Sequence, residues 1–134
     1  MKKLFISLTV ALLSVTASFA NTSDLELPTE ENNAKLVKMI KEADANDYIT
    51  YTDAARLAVN WNGDLELAKE WVNHALSIQE NSLSLEVLGD YYVRTGQVEK
   101  AATTYLTAIE KGIKKIDQED MNRLQRKALV YARK

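Results

Sequence analysis

The chain has 134 residues with 17 basic and 19 acidic side chains, a single histidine and no cysteine. That length suits one small domain built on a single core, and the lack of cysteine excludes a disulfide framework and thiolate metal sites. The charge is uneven: residues 21–110 carry 7 basic and 16 acidic side chains, whereas residues 111–134 carry 8 and 3. The acidic body disfavours nucleic-acid phosphates, and the basic tail is either a solvated helix face or a means of orienting a partner.

In chain order, residues 1–20 read as an export signal. Lys2 and Lys3 form a basic start, Leu4 to Val15 is apolar, and Ser18-Phe19-Ala20 places small residues where a signal peptidase reads, so cleavage is expected before Asn21. The apolar run is short for a bilayer-spanning helix. The exported product is therefore expected in the periplasm or released, with no stable membrane span. Residues 21–29 read as a flexible leader, and residues 30–134 as one helical domain.

Helix 1 is expected after Thr29, where Glu30 and Glu31 complement the positive helix start, and it ends near Ala45 before the Asn46-Asp47 turn. Helix 2 is placed from about Thr50, taken as an N-cap with Asp53 completing a capping box, to Asn60. Gly63 suits the left-handed position past that helix, and Asp64 the cap of the next. Helix 3 spans Leu65 to Ile78 with an apolar face of Ala68, Trp71, Val72 and Ala75. Helix 4 spans about Ser82 to Thr95 and is closed by Gly96. Helix 5 spans about Val98 to Lys111 and is closed by Gly112. Helix 6 spans about Gln118 to Ala132 and is capped by Asp117. No segment reads as a strand, and Pro28 lies outside every helix, as helix physics requires.

Helices 2–3 and 4–5 superimpose with a shift of 33, which pairs Gly63 with Gly96, Ala68 with Ala101, Val72 with Tyr105 and Ala75 with Ala108. The run Leu85-x-x-Leu88-Gly89-x-x-Tyr92, then Ala101-x-x-x-Tyr105 and Ala108, resembles the tetratricopeptide repeat, whose usual period is about 34. The resemblance implies an all-α fold, a right-handed stack of antiparallel helix hairpins. Its two repeats would cover about 50–81 and 82–113, with helices 1 and 6 (about 118–132) as caps. Small residues belong where paired helices cross, so Gly89 is expected to meet Ala101. The missing residue is expected between Glu80 and Gly89. The first repeat is degenerate, with Arg56 where a small residue belongs and Thr52 where a large apolar one does.

Chemistry is sparse. His74 has no second histidine or cysteine with which to share a metal. No Gly-x-Ser-x-Gly turn, phosphate loop or calcium loop occurs. The paired acids Asp64/Glu66 and Glu119/Asp120 stand at helix starts, where they complement the helix dipole. The expectation is a non-catalytic protein without a cofactor. Trp71 reads as core, and Trp61 either as a plug at a helix end or as a partner contact.

The resemblance implies a groove lined by the first helix of each hairpin: Asp53, Leu57, Asn60 and Trp61 from helix 2, and Glu86, Asp90, Val93 and Arg94 from helix 4. Its acids suit a basic or amphipathic protein segment, unless they are simply solvated. The expected function is an adaptor of the bacterial envelope. The alternative is a self-associating module in which Arg123, Arg126 and Lys127 of helix 6 dock on the acidic body of another copy.

Overall fold

The computed structural model describes residues 30–133, and within them the chain forms six helices and no strand. These are α1 Glu30–Glu42, α2 Tyr48–Asn60, α3 Leu65–Ile78, α4 Ser82–Arg94, α5 Val98–Gly112 and α6 Gln118–Ala132. The expected export signal over residues 1–20 and the leader over 21–29 lie outside the described residues. No described helix is long and apolar enough to cross a membrane.

Capping residues set the boundaries. Asp64, Asn81 and Asp117 each accept a hydrogen bond from the backbone N–H three residues on, at 2.8 to 3.0 Å, which satisfies one donor that a helix start leaves without an intrahelical partner. Helix α2 begins earlier than expected. Its N-cap is Asp47, which accepts from both the backbone N–H and the hydroxyl of Thr50. Those two hydrogen bonds hold the Asp47 carboxyl below the usual carboxylate range. Thr50 therefore sits inside the first turn as the donor to that cap.

The turns correct the repeat register. Asn62, not Gly63, adopts the left-handed conformation after α2 (φ 51°), and Gly96 adopts it after α4 (φ 75°). Each turn closes in the same way. Gly63 N–H donates to Ala58 O and Gln97 N–H to Tyr92 O, both at 2.8 Å, the paired bonding of a Schellman end. The left-handed residues are thus 34 apart, as are the starts of α2 and α4, whereas α3 and α5 start 33 apart. The missing residue lies inside the turn, not at the junction of the hairpins. With that offset Ala55, which has no exposed surface, occupies the place of Gly89, so the first hairpin does carry a small residue there. Gly63 serves a different need: a Cβ on it would come within 2.8 Å of Asn33 Oδ1, where α1 crosses the turn.

Packing runs along the chain: α1 on α2, α2 on α3, α3 on α4, α4 on α5 and α5 on α6, with α2 also against α4. Two apolar clusters result. One gathers Leu36, Ala54, Ala55, Ala58, Val59, Ala68, Trp71 and Val72 from α1 to α3, with Val87 from α4. The other gathers Leu85, Ala101, Tyr105, Ala108, Leu124 and Ala128 from α4 to α6. Leu76 packs against both. Helix α4 is the shared wall, with Val87 on one side and Leu85 on the other. His74 belongs to this scaffold: Nε2 lies 2.9 Å from Ala45 O and its ring 4.2 Å from that of Tyr51.

Gly89 makes room for the Tyr105 side chain of α5. A Cβ there would sit 2.7 Å from Tyr105 Cδ1 and closer still to Cε1. Tyr105 cannot swing aside easily, because its hydroxyl donates to Asp90 and its ring lies 6.0 Å from that of Tyr131. For Gly89→Ala, the helix-propensity gain of about 1 kcal/mol competes with overpacking of about 1–3 kcal/mol. The expected net result is a loss of up to about 2 kcal/mol in urea denaturation. A raised midpoint would show that the ring yields.

Candidate functional site

Helices α2, α4 and α6 run side by side. Thr52 Oγ1 lies 2.7 Å from Ser84 Oγ near the start of α2 and α4, and Arg94 Nη2 donates to Asn60 O at their ends. The near-constant sequence separation of these pairs makes the two helices parallel. Arg123 reaches Glu86 and Lys127 reaches Asp90, both across 37 residues, so α6 is parallel to α4 in one register. Helix α6 therefore continues the row of first helices and is more than a lid over the last hairpin.

The seams of this row are polar. Thr52 and Ser84 are both buried, and Thr52 also donates to Tyr48 O, so the hydroxyls are satisfied where an apolar contact was expected. One step along, Glu86 is only 5% exposed. Arg123 grips it with two parallel bonds, Nε to Oε1 at 2.7 Å and Nη2 to Oε2 at 2.8 Å. This fork matches the carboxylate geometry. Lys127 Nζ donates to Glu86 Oε1 and to both oxygens of Asp90 at 2.8–2.9 Å, Tyr105 donates to Asp90, and Arg123 also meets Asp120. Burial pushes the Glu86 carboxyl up, but Arg123 and Lys127 outweigh it and hold the group below its ordinary value. Burial and the Asp90 carboxylate push the Tyr105 phenol well above its usual range, so it stays a donor. Glu86 raises the Arg123 guanidinium further. Among the described residues no buried side-chain nitrogen or oxygen lacks a partner.

Two hollows open along this row. One, of about 400 Å³, is lined by Arg56, Asn60, Leu83, Glu86, Asp90 and Lys127 among others. The second, of about 560 Å³, includes Asn60, Asp90, Val93, Arg94, Lys127 and Tyr131. Asn60, Asp90 and Lys127 belong to both, so the hollows adjoin as one trough. The structure thus brings together five of the expected groove residues: Asn60, Glu86, Asp90, Val93 and Arg94. Asp53, Leu57 and Trp61 line neither hollow. Leu57 and Trp61 pack on the first core, and Asp53 pairs with Arg56 at 2.8 Å.

The lining is charge-balanced, not acidic. Arg56, Arg94, Arg123 and Lys127 stand against Glu86, Asp90 and Asp120. The expectation of an open acidic groove fails because α6 supplies cations to it. For the same reason Arg123 and Lys127 are engaged within the chain, and of the three cations expected to dock on another copy only Arg126 faces outward. The basic tail was the signal for these contacts, and its target proved to be the chain's own α4. Among the described residues no group of three histidine, cysteine or acidic side chains is placed to hold a metal ion. No family model, no curated protein and no solved structure matches the chain.

The depressed Glu86 carboxyl fixes a sign. Its contribution to stability is fully present above the unfolded-state value, about 4.3 for glutamate, and is lost as pH falls through the folded value. Glu86→Gln is expected to cost about 1–3 kcal/mol at neutral pH and to flatten the loss of stability in acid. Urea titrations at pH 7, 5 and 3 compare the two proteins. Parallel curves would mean that the carboxylate carries no charge-dependent stability.

Proposed function

We propose that this chain is an exported, non-catalytic protein-binding module of tetratricopeptide-repeat type, acting as an adaptor in the bacterial envelope. A segment of a partner polypeptide lies in the trough along α2, α4 and α6. The observation that carries this reading is the trough itself: three parallel helices present an uncovered row with two adjoining hollows, on a scaffold whose hairpins repeat at 34 and 33 residues.

The chemistry of the lining narrows the partner. Glu86 and Asp90 are already paired, so selection for a basic segment has no free carboxylate on α4 to act through. Asn60, Arg56 and Arg94 are exposed and suit backbone carbonyls and side-chain acceptors. Val93, Leu83 and Tyr131 add apolar contact. An amphipathic segment, polar on one edge and apolar on the other, fits this mixture. A partner held by a few such contacts is bound weakly per unit area, as is common for adaptors that exchange clients.

A photo-crosslinking residue at Asn60 or Val93 is expected to capture a discrete polypeptide in the exporting cell. The same residue at Lys41, on α1, is expected to capture none. Equal yields at all three positions would remove the trough from the proposal. The export step has its own readout. The intact mass of the protein recovered outside the cytoplasm is expected to correspond to a chain beginning at Asn21, and an uncleaved mass would overturn the signal assignment.

A further inference from the structure

We propose that the segment Asp24-Leu25-Glu26-Leu27 of this chain fills the chain's own trough, and that a partner enters by displacing it. The proposal rests on the trough being the binding site. The segment lies outside the described residues, so the argument starts from where the described chain begins. The Asp64 backbone N–H donates to Asn33 Oδ1 at 3.4 Å, which holds the start of α1 at the turn after α2. Glu30 stands one helical turn before Asn33. Residues 21–29 therefore enter the fold at the end of the row where Arg94 reaches Asn60. An extended chain spans about 3.3 Å per residue, so Leu25 can lie about 17 Å from Glu30. Rounding the end of α2 takes about 10–12 Å, the width of a helix with its side chains. Leu27 and Leu25 are thus within reach of the second hollow, of about 560 Å³.

The chemistry of that hollow selects the segment. Val59, Val93 and Tyr131 line it with apolar surface, and Arg94 lines it with a cation. Of the trough cations, Arg56 pairs with Asp53, Arg123 with Glu86 and Asp120, and Lys127 with Glu86 and Asp90. Arg94 is exposed and has no acidic partner among the described residues. It donates one N–H to Asn60 O and keeps others for an acceptor. The segment alternates acidic and apolar residues. Extended, it sends both leucines to one side and both carboxylates to the other. Leucines set on Val59, Val93 and Tyr131 leave the carboxylates at the mouth of the hollow, where Arg94 meets them. A short tether supplies an effective concentration on the order of millimolar, so a few such contacts suffice to fill the trough. The same tether favours the chain's own trough over that of a second copy.

The chain has no cysteine, so Ser23→Cys carries a nitroxide label at a single place. Amide resonances of the protein purified from outside the cytoplasm are the readout. Asn60, Val93 and Arg94 are expected to lose most of their intensity to the label, and Lys111, beside Glu80 before the start of α4, none. Leu25→Ser with Leu27→Ser is expected to restore the lost intensity, and so is Arg94→Glu. Adding Asp24→Lys with Glu26→Lys to Arg94→Glu is expected to bring the loss back. Full intensity at Asn60, Val93 and Arg94, or an equal loss at Lys111, overturns the proposal, as does a loss indifferent to these variants. A loss transmitted from nitroxide-bearing chains to isotope-labelled chains without the label would make a second copy the occupant and overturn it as well. Partner capture at Val93 in the exporting cell is read separately. Leu25→Ser with Leu27→Ser is expected to raise its yield, and an unchanged yield overturns the displacement. Absence of any capture, with the nitroxide effect intact, would remove the partner from the trough and leave the segment in it.

Discussion

The clamp of Arg123 and Lys127 on Glu86 and Asp90 decides how the rest of this molecule is presented. Without it α6 would be held to α5 by Leu124, Ala128 and Tyr131 alone, an apolar contact that tolerates sliding and rotation. The ionic bonds are directional. They fix α6 parallel to α4, one helix position further along the row. Three consequences follow from that one placement. The trough gains a third wall, its carboxylates are neutralised from within, and the opposite side of α6 is turned outward with Leu129 on it.

A buried ion cluster is a weak source of net stability, since each charge must be taken out of water. Its value here lies in exclusion of alternatives. Glu86 is buried, and its two partners on α6, Arg123 and Lys127, are both cations one helical turn apart. Sliding α6 by one residue would break both contacts and leave a carboxylate in the interior unpaired, at a cost of about 3–5 kcal/mol. The Thr52–Ser84 contact plays the same part between α2 and α4, with less electrostatic force. The row of first helices is therefore aligned by polar pairs, whereas the second helices α3 and α5 pack through alanine and aromatic contacts. Local cohesion and register are assigned to different chemistries.

Much of the fold was legible in the sequence, and the parts that were not share a cause. Helices α3 and α6 match the expectation at both ends, because Asp64 and Asp117 are unambiguous caps beside clear apolar periodicity. Helix α2 begins two residues before the sequence expectation because Thr50 and Asp47 are both competent caps, and only the backbone decides which one accepts. The repeat offset failed at Asn62-Gly63 for a similar reason. Glycine is the usual left-handed residue, but asparagine is the next most tolerant, and here Gly63 sits beside the Asn33 side chain instead. Once Asn62 is set against Gly96, Ala55 falls opposite Gly89, so a small residue stands at the same place in both hairpins. The charged residues of the groove were found by position, and their partners were not. A run of basic side chains announces that it will meet acids, but not whether those acids belong to its own chain.

That last distinction governs what the surface can do. A carboxylate satisfied inside the fold exerts little attraction on a ligand, since its field is cancelled within a few ångströms by fixed cations. The trough consequently offers hydrogen-bonding and apolar groups rather than a net field, so recognition there depends on shape and contact more than on long-range steering. Other exposed charges without an ion-pair partner among the described residues lie elsewhere, Glu99 and Glu110 on α5 and Glu119 and Arg126 on α6 among them. The division is a direct result of α6 being a helix: one face closes the fold, and residues about half a turn away remain exposed.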